Sequence, residues 1–78
     1  MKAYILVTAK PGTSEDIVQF IKTARNVAGV KDANSVYGRY DAVIIVEAED
    51  AKSLSELLYK VIEKNPNIIH TETLITLF

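Results

Sequence analysis

Val36-Tyr37-Gly38-Arg39-Tyr40-Asp41-Ala42-Val43-Ile44-Ile45-Val46 joins two β-type runs through a glycine, a base, a tyrosine and an acid. The pattern predicts a hairpin with Gly38 to Asp41 at its tip, because glycine tolerates the backbone conformations that a tight reversal needs. The run leaving the tip, Ala42–Ala48, is a strong strand. The run entering it, Val30–Tyr37, is weaker. Simple alternation puts Val30, Asn34 and Val36 on one side and Lys31, Ala33, Ser35 and Tyr37 on the other.

Working outward from the hairpin, Ala3–Ala9 is rich in β-formers and stops at Pro11-Gly12, which predicts a strand ended by a turn. Thr13 or Ser14 then caps a helix whose first turn holds Glu15 and Asp16, where the helix dipole favours acids. Ile17, Phe20, Ile21, Ala24 and Ala28 recur at helical spacing, and Gly29 ends the segment. After the hairpin, Asp50 or Ser53 opens a second helix, and Ser53 with Glu56 has the spacing of a capping box. Leu54, Leu57, Leu58, Val61 and Ile62 form its apolar stripe, and Asn65-Pro66-Asn67 stops it. The closing segment Ile68–Phe78 alternates. Ile69, Thr71, Thr73, Ile75 and Leu77 share one side; His70, Glu72, Leu74 and Thr76 share the other.

The order is β-α-β-β-α-β. Right-handed crossovers turn it into a four-stranded antiparallel sheet with both helices on one face, a ferredoxin-like α+β fold. Two helices cover one face only, yet Tyr4-Ile5-Leu6-Val7 and Val43-Ile44-Ile45-Val46 are apolar on both sides. The helix-free face therefore carries an apolar patch, and a two-fold, face-to-face dimer is the simplest cover for it.

Size and composition agree with a small self-associating domain. Seventy-eight residues allow one domain with a thin core, and the absence of cysteine removes the disulfide remedy. That leaves oligomerisation. With 49% apolar residues the chain is not a disordered one, and a net charge of −1 gives no footprint for nucleic acid. No apolar run has the roughly 20 residues of a membrane span. A strand pattern begins directly after Met1-Lys2, so no signal peptide is expected and the chain reads as cytoplasmic.

Signals for enzyme chemistry are sparse. His70 stands alone in a strand with no thiol or positioned serine to activate. Lys10-Pro11-Gly12-Thr13 has neither Walker nor Rossmann spacing, and Glu47 and Glu49 lack a third metal ligand. The strand Ala42–Ala48 has no aromatic residue or base, which argues against an RNA-binding sheet. No catalytic residue, metal or cofactor is expected. The tip is different: amides around Gly38 can converge on an anion, Arg39 adds charge, Asp41 can hold an ammonium group, and Tyr37 or Tyr40 can wall a pocket. Taken alone, the same residues also make a plain hairpin turn in which Asp41 bonds only to its own backbone.

Three elements together resemble the effector-binding (RAM) domain of the leucine-responsive regulatory protein family (Lrp/AsnC). They are Val36-Tyr37-Gly38-x-Tyr40-Asp41 with its following strand, Glu49-Asp50-x-x-Ser53-Leu54, and Ile69-x-Thr71-x-Thr73-x-Ile75. The resemblance spans the whole chain, residues 1–78 as a single effector-binding domain. It implies homodimers formed through the helix-free sheet face and further assembly, most often to an octamer. It implies an amino acid or similar effector bound in clefts between dimers, lined by Tyr37, Gly38, Arg39, Tyr40, Asp41, Thr71 and Thr73. The family's DNA-reading helix-turn-helix is expected to be absent, so direct contact with nucleic acid is not expected. Transcription of metabolic genes would be regulated indirectly, through self-assembly or full-length Lrp/AsnC-type regulators. Arg39 stands where many relatives carry an acid or a tyrosine. The rival readings are an ACT-like amino-acid-binding module, a dimeric α+β barrel enzyme using Tyr4, Thr8 and His70, and an assembly module with an empty cleft.

Overall fold

The computed structural model describes residues 1–23, 29–62 and 64–78, with the side chain of Val61 set aside. Strand β1 spans Lys2–Ala9, helix α1 Ser14–Thr23, strand β2 Val30–Ser35 and strand β3 Ala42–Glu47. Helix α2 spans Ala51–Leu57 and runs into a π-helical turn, Leu58–Ile62, before strand β4, Ile68–Ile75. The sheet order is β2-β3-β1-β4 and every neighbouring pair is antiparallel. This is the ferredoxin-like arrangement that the order of elements predicts.

Register assigns each side chain to a face, because opposed residues on antiparallel strands point the same way. Ala3, Ile5 and Val7 of β1 lie level with Val46, Ile44 and Ala42 of β3, Ala9 lies level with Ile68 of β4, and these β1 and β3 residues are all buried. They form one core with Ile17, Val18 and Ile21 of α1 and Leu54, Leu57 and Ile62 from the second helical segment. Both helices thus cover the same face. The open face presents Tyr4 and Leu6 opposite Ile45 and Val43, with Leu74 beside Tyr4. These are half-buried or exposed side chains. The ammonium of Lys2 lies 5.3 Å from the Tyr4 ring centre and borders one end of this apolar patch.

Local details depart from simple periodicity. Phe20, expected in the core stripe of α1, is 51% exposed, and Val18 is buried in its place. The stripe is rotated because α1 leans on β2 and buries Ile17, Val18 and Ile21. Ala24, Ala28 and the expected run of α1 to Gly29 lie outside the described residues. A bulge between Val30 and Asp32 resets β2, so Val30 and Ala33 share the helix-side face with Val46 and Ile44. Val30 therefore does not share a side with Asn34, and β2 stops at Ser35.

Asp50 caps α2, its carboxylate accepting the Ser53 amide at 2.8 Å; Ser53 is thus the capped residue. This bond and the Ser53 side chain hold the Asp50 carboxyl below its ordinary range. Thr13 turns its hydroxyl back to the Lys10 carbonyl at 2.7 Å, so it tightens the Pro11-Gly12 turn. β4 ends at Ile75, and Leu77 and Phe78 beyond it are exposed. Gly29 makes a close approach at φ +108°: a Cβ there would lie 2.8 Å from the Glu47 carbonyl oxygen.

The two sheet edges differ. β2 carries Lys31, Asp32 and the bulge, devices that discourage edge pairing. β4 presents Ile69, Leu74 and Ile75 to solvent, and no lysine, arginine or proline occurs within it.

Candidate functional site at the hairpin tip

The tip, Val36 to Asp41, is closed by the Val36 amide donating to the Asp41 carbonyl at 3.0 Å. Asp41 ties it down. Its amide donates to the Val7 carbonyl at 2.8 Å, and its Oδ2 accepts the Ala9 amide, also at 2.8 Å. The carboxylate thereby satisfies a donor at the frayed end of β1, where the β1–β4 register shifts between Thr8 and Ala9. The Asp41 carboxylate bonds across the sheet to a strand distant in sequence, while its backbone carbonyl closes the tip.

Tyr40 extends across β1 and donates its hydroxyl to Oε2 of Glu72 on β4. This bond to the carboxylate, with burial and the Glu72 charge adding to it, raises the Tyr40 phenol above its ordinary value of 10.0, and Arg39 opposes the shift. A raised phenol pKa keeps the donor form in place through the neutral range. The tip is thus fastened to two strands at once.

What remains free points outward. Tyr37 and Arg39 are exposed, and Gly38 sits at φ +142° with open space around its Cα. Among the described residues, the amides of Tyr37, Gly38, Arg39 and Tyr40 have no backbone acceptor. The tip offers donors and a cation, chemistry that suits a carboxylate.

Thr71 and Thr73 occupy β4 opposite Val7 and Ile5, which places them on the helix-side face. Glu72, the tip's partner, occupies the opposite face between them. The tip and the two threonines therefore meet the same strand from opposite faces, and one chain does not bring all seven predicted residues into one cleft. Glu72 was not among the residues that sequence reasoning singled out. Its signal was its place on the far side of the Thr71/Thr73 alternation, which gains meaning only once β1 is known to pair with β4. A depression of ≈ 260 Å³ flanks β4, lined by Ile68, Ile69, His70 and Thr71.

Tyr4, Thr8 and His70 share the open face, but Thr8 lies four steps along the strand from Tyr4, about 13 Å. They do not form a compact cluster. Among the described residues no three His, Cys, Asp or Glu side chains are placed to hold a metal ion, and no helix is long and apolar enough to cross a membrane.

Residues 2–77 match the family model described as the Lrp/AsnC ligand binding domain. The chain belongs to this family. A solved structure of FFRP-DM1 is 31% identical, with 96% of each chain covered and a TM-score of 0.79. The hypothetical protein PHS023 of Pyrococcus horikoshii is 29% identical over 99% of this chain and 89% of that one, with a TM-score of 0.82. A feast or famine regulatory protein of M. tuberculosis, solved in complex with L-methionine, shares the fold at a TM-score of 0.77. Its identity is 23%, with 99% of this chain and 50% of that one covered. No curated protein matches in sequence. The Lrp/AsnC domain is a ligand-binding domain of transcription regulators, which sets the class of function.

Proposed function

We propose that this Lrp/AsnC domain binds an amino acid, or a similar small carboxylate, in a cleft completed by a second copy of the chain. It then acts on transcription indirectly, in the cytoplasm and without catalysis, through assembly with itself or with full-length regulators. The observation that carries this reading is the fastened tip with its free amides. Gly38 to Tyr40 and Arg39 receive the ligand carboxylate, and Tyr37 walls the site. Asp41, which holds Ala9 through Oδ2, offers Oδ1 to the ammonium group. Thr71 and Thr73 face away from the tip of their own chain, so in this reading they line the cleft from a neighbouring copy. The L-methionine bound to the mycobacterial regulator of the same fold supports the ligand class.

The apolar open face supports a sheet-to-sheet homodimer, and further association of such dimers, to an octamer, would bring tips and β4 strands together. A ligand held between copies stabilises the assembly that forms its site. The test is a thermal-shift screen of the twenty amino acids, read together with native mass spectrometry. At a hundredfold excess over Kd, binding adds about 2.7 kcal/mol of stability. For a domain this small that raises the melting temperature by about 10 °C or more. Arg39→Ala should abolish the shift without dissociating the dimer. The reading is refuted if no amino acid moves the midpoint and only monomer is present at micromolar concentration.

A further inference from the structure

We propose that the tip selects an amino acid with a cationic side chain, lysine being the best fit, and that Glu72 is the residue that reads that charge. This rests on the reading of the tip as an amino-acid site and names the ligand class it takes.

The charge balance comes first. The tip and its anchor on β4 carry Arg39, Asp41 and Glu72, one cation against two anions. A zwitterionic amino acid uses the first two. Its carboxylate takes Arg39 and the free tip amides, and its ammonium takes Oδ1 of Asp41. One carboxylate then lacks a counter-charge. A ligand of net charge +1 completes the set, whereas a dicarboxylic amino acid adds a further anion beside Glu72.

The state of that carboxylate is the second observation. Glu72 accepts the Tyr40 hydroxyl on Oε2, and among the described residues no other hydrogen bond is made to it. A carboxylate offers about four acceptor sites, so Oε1 is open while the phenol holds the group in position. Nearby cations do not neutralise it. His70 lies two residues away on the same face of β4 and makes no bond to it. Lys2 lies beside Tyr4, four steps along β1 from Leu6, the residue opposite Glu72. That is about 13 Å away.

Reach is the third. Tyr40 is a ruler between the two ends of the site: its backbone belongs to the tip and its hydroxyl meets Glu72. A tyrosine from Cα to hydroxyl oxygen and an extended lysine from Cα to Nζ both span about 6 Å by standard bond lengths. A lysine whose Cα lies against the tip, and whose chain runs beside the Tyr40 ring, therefore brings its ammonium to Oε1. The ring offers the methylenes an apolar wall.

The probe that isolates the charge is L-norleucine, which keeps the four-carbon chain of lysine and lacks the ammonium. In calorimetric titration at low ionic strength, the parent chain should bind L-lysine about fivefold more tightly than L-norleucine, the upper range for an exposed ion pair. L-Glutamate should bind more weakly than either. Glu72→Gln keeps an oxygen for the Tyr40 hydroxyl and removes the charge. It should lower lysine to the norleucine level and leave norleucine unchanged, which also shows that the variant is folded. Equal binding of lysine and norleucine by the parent, or a lysine preference that survives Glu72→Gln, overturns the role of Glu72 and leaves the amino-acid site standing. If lysine fails to bind while another of the twenty amino acids does, this inference falls alone. If none of the twenty binds, the amino-acid site falls with it.

Discussion

Replacing Asp41 separates the hairpin's role in the fold from its role in binding. Oδ2 of Asp41 accepts the Ala9 amide at 2.8 Å, and Ala9 is only 7% exposed. Truncation to alanine therefore leaves an amide with little access to water and deletes a charge-assisted bond. Bonds of that kind contribute about 1.5–3 kcal/mol, and a stranded donor sets the cost near the upper end. For 78 residues, each kcal/mol moves the melting temperature by about 4–8 °C, so Asp41→Ala should lower it by about 10–20 °C. Asp41→Asn keeps an oxygen in place and exchanges a charged acceptor for a neutral one, at a cost of about 1 kcal/mol. Thermal and urea unfolding should be compared at one fixed protein concentration, since assembly makes the midpoint concentration-dependent. Amide exchange at Ala9 should accelerate in Asp41→Ala and much less in Asp41→Asn. An Asp41→Ala midpoint within about 2 °C of the parent, on the same scale, would refute the structural role. So would an asparagine variant as damaged as the alanine one.

Other expectations follow from single contacts. Gly29→Ala forces a Cβ to 2.8 Å from the Glu47 carbonyl oxygen at φ +108° and should cost about 2–4 kcal/mol. Gly38→Ala, with open space around it, should cost only about 1 kcal/mol in urea unfolding. In alkaline titration followed at 295 nm, one phenol should ionise above the ordinary 10.0, and Tyr40→Phe should remove that step. The raised pKa means that the Tyr40–Glu72 contact stabilises the fold below the ordinary phenol value. That contribution is lost as pH rises through the folded pKa. Asp50→Ala should lower the thermal midpoint at neutral pH. The difference from the parent should shrink in acid, because the folded Asp50 carboxyl lies below its ordinary value and its contribution vanishes as it is protonated.

The strands and turns were legible because they rest on local chemistry: β-branched runs, Pro11-Gly12, and Pro66 after the second helix. Legibility ended where two local solutions were equally good. Val18 and Phe20 flank Ile17 and Ile21 on a helical wheel, and only the lean of α1 towards β2 chooses between them. Asp50 and Ser53 are both good caps, and the observed helix start decides for Asp50. The β2 bulge has no glycine or proline to announce it. At the site, the tip residues were visible as a chemical set, but their bonding partners were not. Ala9 and Glu72 lie about thirty residues away from Asp41 and Tyr40; the β1–β3 register brings Ala9 to Asp41, and the β1–β4 register brings Glu72 within reach of Tyr40. The β1–β4 register turns Thr71 and Thr73 away from the tip, a relation that strand alternation within β4 cannot reveal.

The unequal rims of the sheet also bear on how this chain behaves when crowded. Endless stacking of strands needs two adhesive margins per molecule, one to receive and one to offer. Here the β2 margin is blocked by Lys31, Asp32 and a bulge, while the β4 margin is interrupted only at Ile69, where its register with β1 shifts, and carries no lysine, arginine or proline. Any strand-to-strand contact that consumes β4 leaves nothing to propagate from, so edge-wise growth stops at a pair of sheets. A single blunt rim is thus a built-in terminator, letting a small, largely apolar chain be concentrated without seeding fibres.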